Sequence, residues 1–218
     1  MLVSATACSG GEPDPTTTAP SPTPTPSTSV PVAEPAQPVP EDCGTVTLEV
    51  GEVLDGEQLA SCLQAAQTSA GTGTMATADD GDHWTTFEFE GYPEPTAYSP
   101  EEFGMAFYLT PDGDWMNVLG EGWQPADGGV VDTMHLLLSR LDPAWTSHDD
   151  WEVVDFAEVP TDQKPFVEAA WRLTSDEGGH ELWIDPSFLP AYTLSPGDVQ
   201  VETVVQDWGG EVDLPDFG

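Results

Sequence analysis

Over residues 45–50 the chain alternates Val46, Leu48 and Val50 with Thr and Glu, a period of two that predicts a β-strand. The period then lengthens. Leu59, Cys62, Leu63, Ala66 and Ala70 recur at helical spacing. With Asp55 as N-cap, Gln58 three residues on and Gly71 as the stop, they predict a helix over 59–70. Strand patterning returns at 74–78, 84–89, 103–110 and 114–119. Asp80-Gly81 and Asp112-Gly113 stand between successive runs and favour the positive φ of tight hairpins. A second amphipathic helix is predicted over 130–141, with Val131, Met134, Leu137, Leu138 and Leu141 on one face and Asp142-Pro143 as its end. Strands follow at 151–159, 166–175, 180–184, 189–194 and 199–208, with Asp176-Glu177-Gly178-Gly179 as a hairpin turn. Many turn-separated strands and only two helices predict an α+β fold, a single antiparallel sheet with helices on one face.

Several strands carry apolar residues on both faces. In 103–110, Phe103, Met105, Phe107 and Leu109 alternate with Gly104, Ala106 and Tyr108, whereas a sheet with one wet face alternates more cleanly. Val167, Ala169, Trp171 and Leu173 form a stripe on their strand, as Phe87 and Phe89 do on theirs. Two readings are open: an ordinary core between sheet and helices, or a curved sheet enclosing more apolar wall than two helices can fill.

Composition separates the ends of the chain from its middle. The 30 residues from Glu12 to Glu41 are a Pro/Thr/Ser tract with almost no large apolar side chain. Such a tract forms an extended, semi-rigid spacer, spanning at most about 90 Å at ~3.1 Å per residue, either bare or as an O-glycosylated stalk. The expected organisation is a signal remnant at 1–11, a linker at 12–42 and a folded domain at 43–218. Ahead of the spacer, Thr6 and Ala7 precede Cys8, and Ser9, Gly10 and Gly11 follow. This resembles a bacterial lipobox, with Ala5 where Leu is usual, and implies diacylglycerol on the Cys8 thiol. Only seven residues precede Cys8, fewer than a working signal needs, so the expected signal is truncated. With Cys8 lipidated, Cys43 and Cys62 remain as a pair in an oxidising, extracytoplasmic setting. One disulfide between them, stapling the first strand to the first helix and closing a 19-residue separation, contributes roughly 3 kcal/mol. The alternative, a metal site, lacks zinc-ligand spacing.

Charge excludes whole classes of function. Three Lys and Arg stand against 40 Asp and Glu, a formal charge of −37, and Arg140, Lys164 and Arg172 are isolated. Nucleic-acid binding needs clustered cations, so no nucleic-acid partner is expected. Membrane attachment through a basic amphipathic helix is excluded likewise. No GxSxG, HExxH, phosphate loop or dinucleotide fingerprint occurs. His83, His135, His148 and His180 are scattered. Asp79, Asp80 and Asp82 lack the Glu of a calcium loop. An enzyme, a metal site and a cofactor are therefore not expected.

The C-terminal third carries a resemblance. Glu181-Leu182-Trp183-Ile184-Asp185-Pro186, then Leu189-Pro190, residues 199–205, Asp207-Trp208-Gly209 and Val212-Asp213-Leu214-Pro215 resemble the end of the actinobacterial LppX/LprG lipoproteins, of LolA-like fold. The helix at 59–70 and the strand opening at Gly73 also sit where that family has its first helix and strand. The resemblance implies a half-open barrel of one curved antiparallel sheet, helices in its concave face and an apolar pocket between them. It also implies a lipid-anchored extracytoplasmic protein whose partner is an acyl-chain lipid or lipidated ligand. Taken with the two-faced strands, it makes Phe87, Phe89, Met105, Phe107, Met116, Met134, Leu138 and Trp171 the expected cavity wall. Met and Phe suit that role because they offer adaptable apolar surface without polar atoms stranded against hydrocarbon. The alternative is a surface interaction or sensor lipoprotein of the same fold with a filled core.

Overall fold

The computed structural model describes residues 32, 34–79, 83–102, 104–176, 179–197 and 200–215. Cys8 and its lipobox, most of the spacer, the Asp80-Gly81 turn, Phe103, Glu177-Gly178 and Val199 lie outside the described residues.

Twelve strands form one antiparallel sheet. In chain order they are β1 (Val53–Leu54), β2 (Thr72–Asp79), β3 (His83–Glu90), β4 (Thr96–Glu102), β5 (Met105–Leu109), β6 (Asp114–Val118), β7 (Trp123–Ala126), β8 (Trp151–Glu158), β9 (Ala169–Ser175), β10 (Glu181–Ile184), β11 (Pro190–Ser195) and β12 (Val201–Trp208). Their spatial order is β1-β8-β9-β10-β11-β12-β2-β3-β4-β5-β6-β7. The sheet is open, with β1 and β7 as its edges, so the expected α+β sheet that does not close is what the chain forms. A sheet this wide curls, and a single apolar core runs along its helix-bearing face from Leu54 to Ala126.

Two helices cover that face. Helix α1 (Gly56–Ala70) starts where Asp55 Oδ1 accepts the backbone N–H of Gln58 at 3.0 Å, as the cap spacing predicts. It stops at Gly71, whose φ of 75° suits a residue without Cβ. Leu59, Cys62, Leu63 and Ala66 are buried in the core. Gly56 is needed for a different reason: a Cβ there would run into the carbonyl oxygens of Thr146 and Asp149. Helix α2 (Gly129–Leu138) tightens into a 3-10 turn at Ser139–Leu141, so the predicted helix 130–141 is α-helical only to Leu138. Asp142 then caps a 3-10 helix at Pro143–His148, its Oδ1 accepting from Ala144 N at 2.9 Å.

One predicted strand is absent, and three unpredicted ones, β1, β4 and β7, are present. Residues 45–50 are not a strand. Val46 packs inward, but Val50 is 68% exposed. Ladder bonds begin only beyond that segment, where Gly51 N–H donates to Val153 O and Val153 N–H to Glu52 O. The Cys43–Cys62 disulfide therefore ties α1 to a 3-10 turn at Glu41–Cys43, not to a first strand. Strand β4 was hidden by Pro95 and Pro100, which read as breakers. Pro100 lies inside the register shift between Ser99 and Glu102 and beyond the last β3 partner, Tyr98, so the ladder loses no donor it uses. Strand β7 is short and contains Pro125, as an edge strand tolerates.

The other face of the sheet also carries apolar groups, in two places. Ala170, Trp183, Ala191, Tyr192 and Val204 form a second buried cluster, with Val159, Phe166 and Val167 packed on it from the 159–168 connection. On the outer strands, Tyr98, Tyr108 and Trp115 stand in register across β4, β5 and β6. Trp123 meets Tyr98 and Tyr108 edge-on at 6.2 and 6.4 Å. The two-faced apolarity of the fifth strand thus has its own explanation: Phe107 and Leu109 point to the core, and Tyr108 joins this aromatic row.

Candidate functional site

The expected wall residues separate by depth. Phe87 and Phe89 are fully buried, and Phe89 stacks edge-on against Trp208 with centroids 5.4 Å apart. Phe107 and Leu138 are buried in the same core. Met105, Met116, Met134 and Trp171 are half-buried and pack against it. Trp171 lies away from the three methionines, on β9, where its ring meets Phe156 at 5.3 Å. All eight side chains therefore share the helix-bearing face. Met105 and Phe107 lie on β5, Phe107 directly opposite Met116 on β6, and Met134 and Leu138 lie on α2.

Beneath α1 the interior is filled. The void found there, bordered by Leu63, Gln67, Arg140, Leu141, Trp145 and Leu182, has about 10 Å³ of room. That is close to the minimum for one water molecule. Beside α2 there is more space. An open cleft of about 330 Å³ runs between α2 and the turns after β3 and β5, its lining including Tyr92, Pro93, Pro95, Pro111, His135 and Leu138. This size lies at the lower end of small-ligand sites.

Few contacts hold α2 to the sheet. His135 Nε2 stands 3.0 Å from both carboxylate oxygens of Asp114 on β6, an ion pair whose His side chain is 46% exposed. The helix begins at Gly128 without a side-chain cap. On its outer side Val130 and Leu136 are about half exposed. At its C-terminal end, Tyr92 O–H donates to Leu141 O at 2.8 Å and Gln67 Nε2–H donates to the same carbonyl at 3.0 Å. Burial, reinforced by the Asp142 charge, pushes the Tyr92 hydroxyl well above the usual phenol range, so it stays protonated and donating.

Sequence reasoning did not select Tyr92, Gln67, Arg140 or the proline-lined turns. A signal for Gln67 was present, since it continues the Leu59–Leu63 row of the first helix at the same spacing. Nothing local marks the others, because the cleft joins segments distant in sequence.

Beside the turn between β10 and β11, the last part of the expected linker is held against the sheet. Gln37 N–H donates to Ser187 Oγ (3.0 Å), and the Ser187 hydroxyl donates back to Gln37 O (3.2 Å). Beside it, Asp185 is buried. Its Oδ1 accepts from Ser187 N and Leu189 N, both at 2.8 Å, while Oδ2 has no partner. Burial raises the Asp185 carboxyl above the ordinary range, and its backbone hydrogen bonds oppose that rise. The Asp-Pro turn of the C-terminal signature is thus a structural device that turns the chain from β10 to β11. Among the described residues no cluster of three or more His, Cys, Asp or Glu is placed to hold a metal ion, and no helix is long and apolar enough to cross a membrane.

No family model matches the chain, and no curated protein does. Solved structures do. LprF from Mycobacterium bovis is similar at 12% identity and a TM-score of 0.48, over 77% of this chain and 99% of that one. The Mycobacterium tuberculosis lipoprotein LppX is similar at 14% identity and a TM-score of 0.47, over 73% and 99%. Both are actinobacterial proteins of the LppX/LprG group that the sequence resembles. At such scores the fold itself is read from the registers of the twelve strands.

Proposed function

We propose that this chain is a cell-envelope lipoprotein, anchored through diacylglycerol on Cys8 at the extracytoplasmic face of the membrane, which binds an acyl chain between α2 and strands β4–β7. The observation that carries the binding site is the uneven burial beneath the helices: the side under α1 is closed, whereas an open cleft bordered by Tyr92, Pro93, Pro95, Pro111 and Leu138 lies beside α2, and Met105 on β5, Met116 on β6 and Met134 on α2 are only half-buried against the core. An alkyl chain laid along those methionines completes their burial without stranding a polar atom. Covering about 400 Å² of ligand at ~25 cal/mol per Å² contributes roughly 10 kcal/mol before ordering costs, enough for retention through purification. Lipid copurified from the native host, detected by native mass spectrometry, is the first test. Saturable binding of a fluorescent fatty acid to residues 34–218 is the second. Met134→Asp and Met116→Asp should each weaken that binding at least about tenfold while the fold is retained, since either places a carboxylate against hydrocarbon.

A second reading has its own support. The filled interior under α1 and the in-register row Tyr98–Tyr108–Trp115 on the uncovered face suit a surface interaction lipoprotein with a closed core. Absence of both copurified lipid and saturable probe binding in well-folded protein would select it.

A further inference from the structure

The residues lining the open cleft beside α2 are of two kinds. Leu138 and the prolines Pro93, Pro95 and Pro111 offer apolar surface, while Glu94 and Asp142, both exposed, bring carboxylates. None of the chain's three Lys and Arg lines it. Arg140 borders the small void under α1, Arg172 is paired with Asp155, and Lys164 is exposed in the connection between β8 and β9. Among the lining residues His135 alone can carry a positive charge. Its Nε2 stands 3.0 Å from both Asp114 oxygens, so a proton gained there is balanced by that carboxylate. The C-terminal end of α2, where Leu138 and Ser139 line the cleft, adds the negative pole of the helix. The Asp142 charge also reaches the cleft wall: it adds to burial in raising the hydroxyl of Tyr92, another lining residue.

We infer that this cleft selects its amphiphile by head-group charge, accepting cationic or uncharged heads and rejecting carboxylate or phosphate, with Glu94 and Asp142 as the specificity-determining residues. This rests on the acyl-binding reading above and names the ligand class for that site. Apolar contact does not discriminate, because an alkyl chain gains the same burial against Leu138 and the prolines whatever head it carries. Charge does. An anionic head entering the cleft gives up hydration and finds no guanidinium or ammonium to replace it. It also meets two carboxylates and the carbonyl end of α2, which all repel it. A quaternary ammonium head meets the same groups as attractions. At physiological salt, screening over roughly 8 Å leaves such close neighbours effective and suppresses most of the chain's other carboxylates. The selectivity is therefore local to the cleft, and separable from the overall charge of −37.

The test loads the full chain with methyl cis-parinarate, an uncharged fluorescent probe, at pH 7.5 and physiological salt. The probe is then displaced by dodecyltrimethylammonium or by laurate, two ligands of equal chain length and opposite charge, each below its micellar concentration. The cation should displace it at a concentration at least about tenfold lower than laurate, since two carboxylates act in the same direction. Glu94→Gln with Asp142→Asn should bring the two displacement curves within about threefold of each other; Asn keeps the oxygen that accepts from Ala144 N. Glu94→Gln alone, in an exposed turn, should lower the ratio part of the way, so the test survives if the double variant misfolds. Glu152→Gln with Glu158→Gln, both exposed on β8, makes the same change in net charge away from the cleft and should leave the ratio unchanged. Laurate displacing the probe as readily as the cation overturns the inference and leaves acyl binding standing. So does an equal fall in the ratio for both double variants, which assigns the preference to net charge. Absence of saturable binding of the uncharged probe removes the acyl-binding reading itself, and the selectivity with it.

Discussion

The part of the sheet under α1 and the part under α2 use the same antiparallel strands, but they are finished differently. Under α1, residues Leu59, Leu63, Met75, Phe87, Phe89, Leu173, Leu182 and Ile184 are all essentially inaccessible. Helix α1 is long enough for four turns, is capped by Asp55, and is tied down by a disulfide and by the Gln67 bond to Leu141. Under α2 every residue of β6 is only half-buried. Helix α2 has ten residues, no side-chain cap and one partly exposed ion pair to the strands beneath it. The difference teaches that the sheet does not set its own degree of closure. Helix length and the number of fixed attachments do.

The sharpest break of this comparison is a pair of truncations. Trp151 is fully buried on β8, donates Nε1–H to Thr146 O at 2.9 Å and meets Trp145 edge-on at 5.3 Å. Trp151→Ala should cost about 3–5 kcal/mol, whereas Met116→Ala should cost less than about 2 kcal/mol because that side chain is already partly in water. Urea denaturation of both variants measures the contrast, and equal losses would abolish the distinction. Next in size is the disulfide. Replacing Cys43 and Cys62 together by Ser should remove roughly 3 kcal/mol and accelerate amide exchange in α1 first, while β6 and β7 keep their rates. Native-state hydrogen exchange would further show β6 and β7 opening at lower free energy than β12 and β2, as sparse burial requires.

The smallest effect concerns Asp185. Its carboxyl is held above the ordinary range by burial, so the folded chain holds that proton more strongly than the unfolded chain does. Its contribution to stability is therefore greatest below the unfolded pKa of about 4 and is lost as pH rises through the folded value. Asp185→Asn keeps an oxygen for Ser187 N and Leu189 N, and should flatten that part of the decline. The readout is the difference between wild-type and variant melting temperatures across pH 3 to 8, in which the effect of the large net charge common to both cancels. A constant difference would mean that Asp185 does not titrate in that range.

Periodicity alone was enough to place α1, α2 and nine of the strands, because an element with one buried face must repeat apolar residues at its own period. The cap at Asp55, the stop at Gly71 and the break at Asp142-Pro143 were equally local, and local rules sufficed for them. Where residues 45–50 failed to become a strand, the pattern was right and the partner was missing: pairing is a property of two segments, and β8 accepts its neighbour only from Gly51 onward. Prolines concealed β4 because a breaker's cost depends on whether its missing N–H was wanted, which only the ladder decides. The site followed the same division. That Met134 and Leu138 share a helix face could be read along the chain, but which side of the sheet stays open could not. Tertiary packing alone brought Tyr92, Gln67 and Arg140 around one turn, since their meeting depends on where three distant segments cross and on a burial cost that no single segment carries.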